Sequence, residues 1–404
     1  MSNIVLRSVC LSALSVLLLL PTAAAQSNDP ADFTVSEYVF RRLDQAQEAL
    51  DQKKYREAHR FLDELIARSG LSVYEKSKHW QTRSYVYVSQ DNLEKASEAM
   101  AKTLELNALP QQELIAMRFN YGQVLLARER FRDAAQVFRT WSGQVERPTP
   151  GALHTAAVAF VRAEDNRTAL QFLDRALAGR SDPPTSWLQL KLAAHVGLKQ
   201  WNAAINVAED LLKKDPKSIA LWKQMSALYG EAGRLGESVA TLELAYRLGY
   251  LTKTSDIKIL IQNLMASGVP LKAAEVADQA LAKKMVPRNG EFLELRATAY
   301  VNASARKQAI DALEDAARAT NKADIYAELG RIYLAEKNWG KASSALSKAV
   351  DLGGLKEVGQ TYIMLGMAQH RQNNTGEAKR AFQKALQYRS SKDAAQSWLR
   401  FLSS

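Results

Sequence analysis

The chain has 404 residues, of which 47% are hydrophobic and 24% charged, and its formal net charge is +11. These fractions exclude a disordered or low-complexity polymer, and the length admits either several ordinary domains or one elongated array. The single cysteine, Cys10, lies in an N-terminal segment expected to be removed, which leaves no thiol for disulfides, thiolate metal sites or cysteine nucleophiles.

That segment comes first in chain order. Arg7 precedes an apolar run from Val9 to Leu20, followed by Pro21 and by Ala23, Ala24 and Ala25. The pattern is that of a secretory signal peptide, residues 1–25, cleaved after Ala25. The run is shorter than the ~20 apolar residues that cross a bilayer, and no later segment comes close, so the mature chain is expected to be exported and not membrane-spanning. Cys10 lacks the preceding residues that lipoprotein processing needs, which argues against a lipid anchor. Loss of Arg7 leaves a charge of +10, a balance that favours anionic surfaces. The exported address argues against nucleic acid as a partner. Residues 26–34 read as a short polar leader.

From residue 35 onward one pattern recurs. A small residue near the start of each second helix of a helix-turn-helix unit stands at Ala58, Ala96, Ala134, Ala169, Ala204, Ser238, Ala273, Ala309, Ala342 and Ala378, at intervals of 33 to 38 residues. Ten units are implied. Three residues before this marker stands a large residue in many units, as Tyr55, Leu93, Phe131, Trp201, Leu235 and Trp339. Seven after it comes a second small residue, as Ala176, Ala245, Ala280, Ala316, Ala349 and Ala385. Twelve before it stands a small residue on the first helix, as Ala46, Gly122, Ala157, Ser226, Ala297, Gly330 and Gly366, and nine before it an aromatic, as Tyr87, Phe160, Tyr229, Tyr300 and Tyr333. Small residues at these positions let two helices approach to the ~8–10 Å of close packing. A single pair has apolar residues on more than one face, so neighbouring pairs must stack to cover them.

Residues 35–148 hold the more divergent repeats and residues 149–390 the more regular array. Between them "VERPTPG" at 145–151 places Pro148 and Pro150 where they end a helix, allowing a larger loop, a kink or a joint. The fifth unit closes with "KKDPKS", Pro216 stopping its second helix. Residues 391–404 supply a capping helix, with Trp398, Leu399 and Phe401 expected to cover the last pair.

The units "YAELGRIYLAEKNWGKASSALSKAV" (326–350), "YIMLGMAQHRQNNTGEAKRAFQKAL" (362–386) and "LWKQMSALYGEAGRLGESVATLELA" (221–245) resemble the tetratricopeptide repeat. The resemblance implies an all-α fold, a right-handed α-solenoid of about ten repeats whose first helices line a concave groove. In that register the groove would present Gln81, Tyr85, Phe119, Gln123, Arg162, Lys223, Lys258, Gln262, Glu294, Arg331, Met367 and His370. Such a mixture of apolar, amide and cationic side chains suits a peptide or a partner helix. Relatives that clamp a chaperone's terminal carboxylate place Asn four residues after Lys on the first helix. Here Ala227 follows Lys223 and Gln262 follows Lys258, so that clamp is absent. The second half, through "ALWKQMSALYGEAGRLGESVATLELAYRLGYL", "LIQNLMASGVPLKAAEVADQAL" and "AAQSWLRFL", is similar to periplasmic tetratricopeptide proteins encoded beside TonB, ExbB and ExbD in Gram-negative bacteria. That likeness implies a periplasmic address and TonB, ExbB, ExbD or an outer-membrane transporter as partner.

Chemistry finds no footing in the residue pattern. There is no H-E-x-x-H, no Gly-rich phosphate loop, no G-x-S-x-G and no C-x-x-C. His59, His79, His154, His195 and His370 fall in different units, without the spacing that sets two imidazoles on one helix face. Arg128, Arg130 and Arg132 cluster at a turn and read as a solvated surface before a docking site. No catalytic, cofactor-binding or metal-binding residues are assigned, and a non-enzymatic periplasmic scaffold is expected. Alternatives are a scaffold in pilus, polysaccharide-export or outer-membrane protein assembly, or a peptidoglycan-binding regulator using the positive charge.

Overall fold

The computed structural model describes residues 33–403. Residues 1–25, expected to be a signal peptide, and residues 26–32 of the expected polar leader lie outside the described residues. Among those described, the chain forms twenty-one α-helices and one 3₁₀ turn at Arg389–Ser391, with no strand. Twenty of the helices pair as ten hairpins; the first helix of each is called A and the second B.

Two compact units divide at Pro216 and Lys217. The first holds hairpins α1 (Glu37–Asp51) with α2 (Tyr55–Ile66), α3 (Val73–Ser89) with α4 (Leu93–Leu106), α5 (Gln111–Ala127) with α6 (Phe131–Ser142), α7 (Pro150–Arg162) with α8 (Asn166–Leu177), and α9 (Thr185–Gly197) with α10 (Trp201–Lys214). The second holds α11 (Ile219–Glu231) with α12 (Leu235–Arg247), α13 (Thr254–Ala266) with α14 (Pro270–Ala282), α15 (Gly290–Asn302) with α16 (Arg306–Thr320), α17 (Ala323–Ala335) with α18 (Trp339–Leu352), and α19 (Val358–Arg371) with α20 (Thr375–Ala385), followed by α21 (Lys392–Phe401). Within each unit every B helix packs on the next A helix, so each unit is an all-α solenoid of stacked hairpins.

One turn design closes all ten hairpins. Five residues before each marker the backbone is left-handed, at Lys53, Asp91, Glu129, Glu164, Lys199, Gly233, Gly268, Ser304, Lys337 and Asn373, with φ between 55° and 77°. The next amide always reaches back to a carbonyl five residues earlier, as Lys54 N–H to Ala49 O at 2.7 Å and Asn338 N–H to Tyr333 O at 2.9 Å. The left-handed residue's own amide bonds the carbonyl three before it, as Lys199 to Val196 at 3.0 Å. This is the Schellman arrangement, which satisfies the A helix's last carbonyls. Only Gly233 and Gly268 supply the residue that takes such a conformation without steric cost.

The markers are the seam of each hairpin. Nine are exposed by no more than 1%, and Ser238, the tenth, bonds the hydroxyl of Ser226 at 3.0 Å. The small A-helix residue and the residue sixteen further on fall in a second buried pair, complementary in volume. A methyl group on Gly122 would lie 2.6 Å from the ring of Phe138, one on Gly330 2.5 Å from Leu346, and one on Gly366 2.5 Å from Phe382. Where the A helix carries Ala, as at Ala46, Ala157 and Ala297, the B helix carries Leu, as Leu62, Leu173 and Leu313. In the fifth and seventh hairpins the sizes exchange, Leu192 with Ala208 and Ile261 with Ala277. Roughly constant summed volume at fixed helix spacing is what close packing requires.

At 145–151 the first unit is continuous. Phe138 and Trp141 before this segment share a core cluster with Leu153, Ala156 and Phe160 after it, and Val145 packs against that cluster. Pro150 opens α7 and Thr149 caps it, its hydroxyl accepting from Ala152 N–H at 3.2 Å. At the other end Trp398 and Leu399 pack on the tenth hairpin. Phe401 covers it only in part: its ring lies one turn beyond Trp398 on the same face of α21 and meets His370 of α19, but the side chain is 58% exposed.

Candidate functional site

Several A helices are joined to the next A helix of their unit by a polar or aromatic side chain at a repeating position. Three residues before the small A-helix residue, the side chain reaches the first turn of the next A helix. On α3, Gln81 and Lys78 both bond Glu113 at the start of α5, each at 3.0 Å. On α11, Lys223 bonds Asp256 at the start of α13 at 2.8 Å; on α13, Lys258 pairs with Glu291 at the start of α15; on α15, Glu294 pairs with Lys322, the residue preceding α17, at 2.7 Å. His154 of α7 uses the same position to stack on Trp187 of α9, centroids 4.9 Å apart and planes 11° apart.

Glu113, Asp256 and Glu291 each sit in a first helical turn, where the partial positive charge of the helix end adds to the attraction of the cation from the preceding helix. The row is therefore a set of short electrostatic ties between successive A helices. Exposed pairs of this kind contribute ~0.2–1 kcal/mol each. Asp256 is buried, so its loss of Lys223 would cost more.

The twelve residues expected in a groove separate into three kinds. Lys223, Gln262 and Arg331 are exposed, and Arg331 is held by Glu328 of its own helix. Arg162, Lys258, Glu294, Met367 and His370 are partly buried: Arg162 lies over the Phe131 ring at 4.0 Å, and Met367 packs on the core beneath α21. Gln81, Tyr85, Phe119 and Gln123, by contrast, are buried and form no open groove surface. Phe119 stands 5.6 Å from Phe138 and 5.1 Å from Trp141, part of the core. Burial and the nearby Glu113 carboxylate push the Tyr85 phenol up to about 12. Their helices, α3 and α5, are 17 residues long, and most of their surface is packed.

Those two helices also bury polar groups that spacing did not reveal. His79 is fully buried, edge-on to Trp80 at 4.9 Å, and neither ring nitrogen has a hydrogen-bond partner. Burial, then the positive charge of Arg83, holds its pKa at about 3 against the opposing pull of Asp63. Ser77 and Asn120 are likewise fully buried with unpaired side-chain polar atoms. His154 is drawn into the stack on Trp187, and burial lowers its pKa to about 4. Of the clustered arginines, Arg128 bonds Ser97 and Arg130 bonds Asp133 at 2.7 Å, so the turn is tied to its own unit. Among the described residues no three His, Cys, Asp or Glu side chains group as metal ligands, and no helix is long and apolar enough to cross a membrane.

Residues 359–392, spanning α19, α20 and the start of α21, match the family described as tetratricopeptide repeat. No curated protein matches the chain. Among solved structures the chain is similar to a tetratricopeptide repeat protein from Parabacteroides merdae, with 17% identity over 73% of this chain and 99% of that one and a TM-score of 0.34. It is similar to MamA from Desulfovibrio magneticus, at 23% identity over 43% of this chain and 96% of that one with a TM-score of 0.35. A third is YrrB, described as a TPR protein with an unusual peptide-binding site, at 14% identity, 49% and 100% coverage and a TM-score of 0.38.

Proposed function

We propose that the protein is a non-enzymatic scaffold that binds a protein or peptide partner along the A helices. The observation that carries this reading is the row of ties between successive A helices. It fixes their spacing and orientation before any partner arrives, so the ordering cost of binding falls mainly on the partner. A preset series of helix faces, with exposed Lys223, Gln262 and Arg331 in the second unit, offers repeated contacts to an extended segment or a helix.

The export pattern of residues 1–25 supports a periplasmic location, and the likeness of the second half to proteins encoded with TonB, ExbB and ExbD supports a role beside a TonB-type transport system. Site-specific photocrosslinking from position 262 in living cells, followed by identification of the adduct, tests both parts. A TonB-system component or outer-membrane transporter is the expected product. Adducts only to cytoplasmic proteins would overturn the address, and adducts to unrelated envelope proteins the transport role.

A further inference from the structure

The helix α21 takes the place that an additional A helix would occupy. At its start, Ser391 and Tyr388 press on Gly359 near the start of α19; at its end, Trp398 and Phe401 meet His370 near the end of α19. The two helices are therefore parallel, like successive A helices. Their junction differs from the tied ones. Where most of those carry a charged or polar pair and the α7–α9 junction one stacked ring pair, this one carries three rings.

His370, Trp398 and Phe401 have centroids 5.7 to 5.8 Å apart and interplanar angles of 59°, 85° and 88°. Steeply inclined rings form a corner and not a closed stack. Trp398 is fixed from behind by Phe382, centroids 5.2 Å apart and planes 5° apart, so the corner is rigid on that side. The rings line a cleft of about 420 Å³, completed by Arg371, Ala394 and Ser397. Ligand sites commonly enclose ~300–1,000 Å³, so the cleft has room for one ring-bearing side chain and its neighbours.

From this arrangement we infer that the cleft is a pocket for one aromatic side chain, presented by a peptide segment with a carboxylate beside it. The occupant follows from shape and charge. Inclined rings offer an incoming ring both edge-to-face and offset contacts. Arg371 is the cation on the wall, and no carboxylate lines the cleft, so a cationic ligand such as a quaternary ammonium is opposed despite the aromatic corner. A carboxylate adjoining the aromatic residue would instead meet the guanidinium, which is steadied over the Trp339 ring at 5.8 Å. This inference rests on the peptide-scaffold reading and gives it a site.

The test uses the full mature chain and three short acetylated probes: Glu-Phe-Asp-Gly, the same peptide with Ala for Phe, and the same with Lys for both acids, plus tetramethylammonium. Titration calorimetry is read for the wild type, Phe401→Ala and Arg371→Ala, with circular dichroism to confirm that each variant is folded; both side chains are outside the core. The first probe is expected to bind best, and each substitution to weaken it about tenfold. Wild-type affinity retained in F401A or in R371A, preference for the lysine probe or tetramethylammonium, or no binding by the wild type at millimolar probe would overturn the pocket. Crosslinking from position 262 is read in the same F401A variant. Adducts that persist there while the probes fail leave the scaffold standing without this pocket, whereas tight probe binding with no adduct in any variant retains the pocket and removes the scaffold reading.

Discussion

At the scale of residues, the structure is set by volumes that sum across each hairpin. Gly366 lets the ring of Phe382 lie against the A helix, so adding a methyl there forces the ring to move although alanine is the better helix former by ~1 kcal/mol. Gly366→Ala is expected to destabilise the protein by about 1–2 kcal/mol, as overpacking does. The double variant Gly366→Ala with Phe382→Leu recreates the Ala–Leu pair present at Ala46 and Leu62 and should recover much of that loss in a urea melt. A double variant no more stable than the single one would show that the two positions do not share a volume. The turns make an opposite prediction. Lys199 and Lys337 hold left-handed backbone that costs an L-residue ~1–2 kcal/mol. Because glycine also loses more chain entropy on folding, Lys337→Gly should raise stability by about 0.5–1 kcal/mol, and Gly233→Ala should lower it by a similar amount. Thermal melting of the two variants settles the signs.

At the scale of elements, the ties between A helices are the feature on which preset spacing depends. Lys223→Ala leaves the buried carboxylate of Asp256 without its cation, while Lys223→Ala with Asp256→Asn removes the charge as well. The single variant should lose about 2–3 kcal/mol and the double variant less, since most of the loss comes from an uncompensated buried charge and not from the pair's own strength. Hydrogen exchange of α11 and α13 reads the effect locally. A second prediction concerns α21. Gly359→Val puts bulk where Ser391 and Tyr388 meet α19, and should loosen α21 with little change in the amide protection of α15 and α16.

At the scale of the molecule, two buried histidines are expected to make the first compact unit sensitive to acid. The first unit holds His79 and His154, both kept neutral by burial, with pKa values of about 3 and about 4. His79 faces Arg83, Lys102 and Asp63. A histidine in the unfolded chain titrates near 6.5, so below that pH the unfolded state binds more protons than the folded one. The stabilisation is complete above pH 6.5 and is lost as pH falls toward the folded values. For His79 the slope is about 1.4 kcal/mol per pH unit, or about 2 kcal/mol between pH 7 and pH 5. The amide protection factors of the first unit, taken relative to the intrinsic exchange rate at each pH, should therefore be lower at pH 5 than at pH 7, and His79→Leu should flatten that dependence; an unchanged slope in the variant would remove His79 as its source. How much of this was legible beforehand follows from what sequence spacing encodes. Ala58, Ala204 and Ala378 marked the hairpins because close helix packing admits only small side chains at the seam, and that demand repeats with the unit. The turn at Lys53 or Lys199 was invisible, since a lysine does not advertise left-handed backbone as Gly233 does. Groove residues were harder: one register position is exposed at Lys223 and buried at Gln81, because exposure depends on what the neighbouring helices bring. The sequence by itself determined helical hairpins in series, through local periodicity and volume. Only the tertiary structure decided that Glu113, Asp256 and Glu291 meet a side chain from the preceding A helix, that His79 lies unprotonated in the interior, and that His370, Trp398 and Phe401 form a corner, because each of these depends on residues about 30 positions apart or on neighbouring helices whose placement no local pattern specifies.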